Sequence, residues 1–326
     1  MDVREWFENR TFRHQDFGNI PKLISLKTEQ NLTISVCLPT LNSGKTLDLI
    51  LRILKEILID EYPLIDELAI VDSRSSDNTV EIAQRRGVKV FFDDECLTDL
   101  PPGSGKGEAL WKSLYFLKGD IIAWLDSDIK NIHPRFVYGS IGPLLTDKTI
   151  GYVKGFYQRP LRTEGLTRET GGGRVTELVA RPLLNLFYPE LSGLIQPLSG
   201  EYAGRRDVLE SIPFLTGYGV EIGLLIDIAK KFGLNAIAQV NLEKRVHNNQ
   251  SLKALGRMAF GVMQAAFQRL ASDKKIKFNT NMNRTLKIIK QVDEEYQMGE
   301  REIRVIERPP MKGISEYREL RKQRKQ

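Results

Sequence analysis

Residues 119–136 read GDIIAWLDSDIKNIHPRF. The apolar run at 121–125 leads directly into Asp126-Ser127-Asp128, two carboxylates flanking one serine. Two unpaired like charges this close repel and raise each other's pKa, so the pattern implies a cation that they share. In an extended strand side chains alternate with a period of two, and both aspartates point the same way. At a strand end, that direction leads into whatever cleft the tip borders. The stretch DIIAWLDSD (120–128) therefore reads as a buried strand whose tip carries the first candidate site residues.

Upstream of it, strands and helices alternate. The apolar TISVCLPT (33–40) precedes a helical period in TLDLILRILKEIL (46–58), and LIDELAIVDS (64–73) precedes NTVEIAQRRG (78–87). A third strand, VKVFFDD (88–94), precedes the helix GKGEALWKSLYFLKG (105–119). This βαβαβαβ order with continuous apolar strands predicts an α/β fold, a mostly parallel sheet covered on both faces. Each strand ends in polar or turn residues, at 40–43, 72–75 and 126–128. Ligands of such sheets bind beyond the carboxyl ends of the strands, so three separate loops predict one site. Past residue 150 the pattern changes: a glycine run at 171–173 opens a helix, followed by QPLSGEYAGRRDVL and GYGVEIGLLIDIAKKFG. Residues 251–272 show helical periodicity, with Leu252, Leu255, Ala259, Val262, Ala266 and Leu270 on one face, which reads as core or as a dimer surface.

Composition narrows the class. With 41% hydrophobic and 28% charged residues in 326, the balance is that of a globular chain. No apolar stretch approaches the roughly 20 residues of a membrane span. The N-terminal MDVREWFENRTFRHQDF carries acids and lacks the apolar core of a signal peptide. Two cysteines, Cys37 and Cys96, make neither a disulfide framework nor a metal cluster, and a reduced cytoplasmic protein is expected. The net charge is +6, and the last eleven residues, EYRELRKQRKQ, hold five bases against two acids. A solvated basic tail explains that excess without a nucleic-acid-binding face.

Several stretches carry chemistry. Oxygen ligands such as Asp126 and Asp128 favour Mg²⁺ or Mn²⁺, which would also take diphosphate oxygens. GSGKGEAL (103–110) is not a phosphate loop, because Gly107 stands where serine or threonine is needed. It reads as a helix start from which Lys106 reaches an anion, or as a solvated lysine. GGGRVTELVARPLL (171–184) offers exposed amides with Arg174 and Thr176 in the first turn, which fits an anion cradle or a flexible, capped loop. After AIAQVNL (236–242), the alternate residues Arg245, His247 and Asn249 fall on one face: a cation, a metal-capable imidazole and an amide. Glu221 begins an apolar helix, where it complements the helix dipole or binds hydroxyl groups.

Strand–PTLNS, strand–DSRSSDNT, GKGEAL and strand–DSD, in that order, resemble the nucleotide-sugar glycosyltransferases of the GT-A (Rossmann-like) fold. Together with GGGRVTELVARPLL, QPLSGEYA, GYGVEIGLLID, AIAQVNL and ERPPM, they resemble the glucosyl-3-phosphoglycerate synthase family over roughly residues 31–312. That likeness implies a retaining cytoplasmic enzyme, a homodimer, that moves glucose from a nucleoside diphosphate, commonly UDP-glucose, onto the 2-hydroxyl of 3-phosphoglycerate. It places Pro39, Thr40, Leu41, Asp72, Ser73 and Lys106 on the nucleotide, with Ser43 where relatives often carry glutamate. Asp126 and Ser127 fall beside the ribose and phosphates, and Asp128 and His247 on the divalent cation. Leu198, Arg245 and Glu221 line the donor sugar and diphosphate, with Asp128, Glu221 and Leu198 at the catalytic centre. Gly173, Arg174, Thr176 and Asn249 grip the acceptor. Residues 31–150 would then form the donor half, 151–250 the acceptor half and 251–326 a helical C-terminal region with a basic tail, while 1–30 stay unassigned. Two rivals share the sheet. A sugar nucleotidyltransferase should carry a glycine-rich signature after its first strand, where only Gly44 stands. A non-catalytic nucleotide-sugar sensor would bind the donor without turnover. No nucleic acid or membrane is expected as a partner.

Overall fold

The computed structural model describes residues 2–159, 161–163, 166–168, 172–246, 250–293 and 295–324. Eleven α-helices and fourteen strands are described, besides seven short 3-10 or π turns. The first part of the chain supplies α1 (Val3–Arg10), β1 (Thr11–Arg13), α2 (Ile20–Glu29), β2 (Ile34–Thr40), α3 (Gly44–Lys55), β3 (Glu67–Asp72), α4 (Thr79–Arg85) and β4 (Lys89–Phe92). Next come α5 (Lys106–Phe116), β5 (Ile121–Trp124), α6 (Arg135–Thr146), β6 (Tyr152–Gln158), the short pair β7 (Leu161–Thr163) and β8 (Leu166–Arg168), and α7 (Arg181–Phe187). Then follow β9 (Tyr202–Arg205), α8 (Arg206–Leu209), β10 (Phe214–Leu215), α9 (Val220–Phe232) and β11 (Ile237–Lys244). The chain closes with α10 (Leu252–Ser272), the strands β12 (Thr285–Val292), β13 (Glu295–Glu302) and β14 (Glu307–Arg308), and α11 (Ser315–Gln323).

Eight strands form one sheet in the order β1-β11-β6-β9-β5-β2-β3-β4. All neighbours run parallel except β9, which lies antiparallel between β5 and β6. Alternation along each strand splits the core between the two faces. Val36, Leu38, Ile70 and Ala123 pack on one side, and Cys37, Ala69, Val71 and Trp124 on the other. Helix α3 shows how the pattern is enforced: Leu47, Ile50, Leu51 and Leu54 follow helical spacing and are fully buried. Burying each such side chain contributes about 1.5–3 kcal/mol, which holds the helix to the sheet.

The chain order places a switch point between β2 and β5. From β2 the chain builds outward through β3 and β4, then returns to lay β5 on the other side of β2. Strands diverge from such a point and leave a crevice beyond their carboxyl ends. Residues 31–150 and 151–250 share this sheet, since β6, β9 and β11 complete it.

The ends of the chain differ from the sequence reading. The first thirty residues are structural: β1 extends the sheet beside β11, and Trp6, fully buried, donates from Nε1 to the Ile237 carbonyl at 2.8 Å. Beyond α10 the C-terminal region is not wholly helical, because residues 285–302 form an antiparallel hairpin. Nor is the basic tail simply solvated as far as it is described, to Arg324. Tyr317 is 1% exposed, the Tyr115 hydroxyl meets Glu316 at 2.6 Å, and Arg324 donates to the Leu117 carbonyl at 3.1 Å. One buried aromatic ring and two cross-links to α5 dock a helix that charge alone would leave in solvent.

Candidate active site

The crevice beyond β2 and β5 is a cleft of about 660 Å³, within the range of small-ligand sites. Its loops are locked to one another. Ser127 Oγ donates to the Pro39 carbonyl at 3.1 Å and contacts Ser43 Oγ at 2.7 Å, while Thr46 Oγ1 donates to the Ser127 carbonyl at 2.5 Å. Thr40 and Ser75 both donate to Asp72, at 2.7 and 2.6 Å. Asp72 is itself fully buried and is not among the residues lining the cleft. It fixes the tips of β2 and β3, so that Pro39, Thr40, Leu41 and Ser73 present a wall. Ser43 stands behind Ser127.

Lys106 is the first residue of α5 and follows Gly105, whose φ of +82° favours glycine. Close approach fixes the helix as well: a Cβ on Gly107 would stand 2.0 Å from the Leu215 carbonyl oxygen. Lys106 Nζ lies 2.6 Å from Asp126 Oδ1 and 2.9 Å from Glu221 Oε1. Burial alone would drive the ammonium toward neutrality; the two carboxylates outweigh it and raise its pKa. Glu221 enters from the start of α9, so one of its oxygens is already engaged by a lysine rather than free for a ligand.

Arg245 follows β11 and answers the question posed by the two aspartates. Its Nη2 lies 2.9 Å from Asp126 Oδ2 and 2.5 Å from Asp128 Oδ1. A guanidinium thus bridges the two aspartates. Nε lies 3.2 Å from Glu201 Oε1, and Nη1 donates to the Tyr157 hydroxyl at 3.2 Å. Asp126 is closed in further by Gly200, where a Cβ would sit 1.9 Å from its Oδ2. Although burial opposes ionisation, Lys106 and Arg245 hold the Asp126 carboxyl well below the usual range. Asp128 differs: its side chain is 52% exposed at the cleft.

A divalent ion fits Asp128 on chemical grounds. Among the described residues no group of three or more His, Cys, Asp or Glu could hold a metal. Mg²⁺ characteristically takes one or two carboxylates and completes its shell with phosphate oxygens and water, so one open carboxylate beside a diphosphate-sized cleft is an adequate protein share. His247 and Asn249 lie outside the described residues.

The cleft is also lined by Gly173, with φ +80°, Arg174 and Thr176. Arg174 Nη2 donates to the Gln250 carbonyl at 3.0 Å, which ties the glycine-rich segment to the chain entering α10. Leu198, Leu255 and Met258 contribute apolar lining.

Several residues here escape a reading of the sequence. Arg159 lines the cleft and donates from Nη2 to the Tyr157 hydroxyl at 2.8 Å, and its buried Nε has no partner among the described residues. Glu201 is fully buried beneath Arg245, and burial raises its pKa. Lys154, 1% exposed, sits 4.1 Å from the Tyr202 ring centroid with no hydrogen-bond partner. The one available signal was a charge inside an otherwise apolar strand, as in YVKGFY and SGEYAG.

Burial pushes the Lys154 ammonium down to about 7 from 10.5. Below about pH 7 the fold must bury a charge, at full cost. Between the two values the unfolded chain holds a proton that the fold lacks, so stability rises with pH and the cost fades. Lys154→Met is therefore expected to stabilise the fold at pH 6.5 by on the order of 2–4 kcal/mol, and by much less near pH 10. Denaturant unfolding at the two pH values checks this; a pH-independent difference would contradict it.

A mostly parallel sheet with a switch-point crevice, an open aspartate at its mouth and cations along its wall define a GT-A-type nucleotide-sugar glycosyltransferase. Residues 35–176 match the family model for Glycosyl transferase family 2. A glucosyl-3-phosphoglycerate synthase of Petrotoga mobilis is 53% identical over 310 residues, 95% of either chain. The chain belongs to the glucosyl-3-phosphoglycerate synthase family. Among solved structures, mannosyl-3-phosphoglycerate synthase from Rubrobacter xylanophilus superposes with a TM-score of 0.87 at 36% identity, covering 96% of this chain and 98% of the other. Glucosyl-3-phosphoglycerate synthase from Mycobacterium tuberculosis, in complex with Mn²⁺, UDP and glucosyl-3-phosphoglycerate, has a TM-score of 0.81 at 41% identity, covering 93% and 99%.

Proposed function

We propose that this glycosyltransferase moves glucose from UDP-glucose to the 2-hydroxyl of 3-phosphoglycerate with retention of configuration, and that it needs a divalent cation. The observation that carries this reading is a single cleft lined by the cations Lys106, Arg245 and Arg174 together with the open carboxylate of Asp128. Structures of the Mycobacterium tuberculosis relative with UDP-glucose and Mn²⁺, and with phosphoglyceric acid, support the pairing of donor and acceptor.

Bound at Asp128 and His247, the cation would neutralise the diphosphate as it departs. Lys106 and the tips of β2 and β3 hold the nucleotide, Glu221 and Leu198 border the sugar, and Arg174, Gly173, Thr176 and Asn249 take the acceptor's anionic groups. A double displacement needs a free carboxylate below the anomeric carbon. Of the described carboxylates beside the cleft, Asp126 and Glu221 are paired with Lys106, Glu201 is buried against Arg245, and Asp128, also paired with Arg245, is assigned to the cation. Same-face attack fits this arrangement. The acceptor hydroxyl bonds to the anomeric carbon as the bond to the diphosphate breaks, and its proton passes to the departing phosphate oxygen.

The division of the cleft is testable. Arg174→Ala should raise the Michaelis constant for 3-phosphoglycerate about ten- to a hundredfold, the loss of one charge-assisted contact. UDP-glucose binding, followed by calorimetry without acceptor, should stay near wild type. If donor binding were lost and acceptor saturation unchanged, the glycine-rich segment would belong to the donor.

We propose further that the enzyme is a homodimer working in the cytoplasm. The hairpin of β12 and β13 leaves Ile289, Tyr296 and Met298 61–74% exposed, an apolar surface that a second subunit would cover. Both cysteines are free and buried, which suits a reducing compartment. No helix among the described residues is long and apolar enough to cross a membrane.

A further inference from the structure

The reaction leaves the basic C-terminal helix without a role, yet the fold gives that helix a fixed place. A second cleft, of about 620 Å³, opens between α11 and the start of α8. It lies at the opposite end of β5 from the catalytic centre. Asp120, which borders it, precedes β5, and Asp126 follows it; six residues of extended chain separate the two by roughly 20 Å.

Six cations face this cleft: Arg205, Arg206, Lys312, Arg318, Arg321 and Lys322. Three carboxylates, Asp120, Asp207 and Glu210, also border it. Two of those are already engaged, one of them by a cation of the cleft itself. Asp120 accepts from the Thr33 hydroxyl at 2.7 Å, and Glu210 lies 3.1 Å from Arg206 Nη1. Among the described residues no carboxylate pairs with Arg318, Arg321 or Lys312, whereas Lys322 meets Glu319 at 3.2 Å. Arg318, Arg321 and Lys322 stand three and four residues apart and share one face of α11, where like charges repel one another. Arg206, only 3% exposed, bonds through Nε and Nη1 to the Gly119 and Leu114 carbonyls, and its buried Nη2 has no partner. A merely solvated basic helix would spread its charges into water. Here the helix is docked through Tyr317, and its unpaired cations border a concave surface.

We propose that this cleft is a binding site for a small phosphorylated anion, separate from the catalytic cleft. Arg318, Arg321 and Lys312 line it without a paired carboxylate among the described residues, so a molecule with two phosphate groups matches them in charge. Guanidinium groups suit phosphate because they present paired donors to its oxygens.

Fructose 1,6-bisphosphate serves as the probe, titrated calorimetrically into the full chain saturated with UDP, Mn²⁺ and 3-phosphoglycerate. One site of submillimolar affinity is expected. Arg318→Glu combined with Arg321→Glu should weaken it at least tenfold and leave turnover unchanged, and Arg174→Ala should leave the site intact. Should charge reversal unseat α11, Arg318→Gln with Lys312→Gln should still weaken binding severalfold. Absence of binding, wild-type affinity in both charge variants, or loss of binding with Arg174→Ala alone would each overturn the proposal.

Discussion

Asp128→Ala is expected to lower turnover by about a thousandfold or more while the fold keeps its stability. The two effects separate because of where the side chain ends. Asp128 is half exposed, and its partner Arg245 keeps Asp126 and Glu201 when it is gone. A partly exposed ion pair of this kind contributes only about 0–1 kcal/mol to stability. Its loss should therefore barely move the unfolding midpoint. The diphosphate, in contrast, loses the carboxylate that anchors its cation. Charge stabilisation of a leaving group is worth several kcal/mol when it acts in the transition state. Initial rates, denaturant unfolding and the metal dependence of UDP binding together check the prediction. A variant that keeps a tenth of wild-type turnover, or one that fails to fold, would show that Asp128 does something else.

Arg245→Met should have the opposite profile, with a large loss of stability. One guanidinium faces three carboxylates, of which Glu201 is fully buried. Asp126 retains Lys106, but Glu201 is left without its cation. Removing one partner of a buried pair costs about 3–5 kcal/mol, chiefly the expense of the charge left behind. Glu201 can escape by taking up a proton, and burial already raises its pKa. An acid whose folded pKa is raised loses stability as pH climbs above its unfolded value, because the unfolded chain ionises first. The deficit should thus be small at pH 5 and near its full size at pH 8. Equal deficits at both pH values, or a loss below about 1 kcal/mol, would mean that the cluster tolerates the charge.

Local patterning made much of the sheet legible. Apolar runs at 33–40, 64–73 and 120–128 become β2, β3 and β5, and the helical periods between them become α3, α4 and α5. What stayed hidden depends on distant partners. β9 is short and flanked by polar residues, and it exists because β5 and β6 pair with it from both sides. β1 has three residues and becomes a strand only beside β11, 228 positions along the chain at Thr11 and Gln239. The tail reads as solvated because its charges are local, whereas the burial of Tyr317 depends on Arg206 and α5.

The site divides along the same line. Lys106, Asp126, Asp128, Glu221, Arg245 and Arg174 are set apart by their motifs, and the fold brings them to one cleft. Their pairings were not readable. Spacing places two aspartates side by side, but it cannot reveal that Arg245, 117 positions from Asp128, answers their charge. Glu201 and Lys154 are hidden for a related reason: one precedes a buried strand and the other lies within one, and each charge is tolerable only through a buried neighbourhood assembled from other strands and helices.

The most direct test of the proposed reaction is product analysis after incubation with UDP-glucose, 3-phosphoglycerate and Mn²⁺ or Mg²⁺. The expected result is UDP release in step with a glucosylated 3-phosphoglycerate joined through its 2-hydroxyl with the anomeric configuration of the donor, and no product in chelator. UTP-dependent release of pyrophosphate, an inverted linkage, or donor binding without turnover would contradict it.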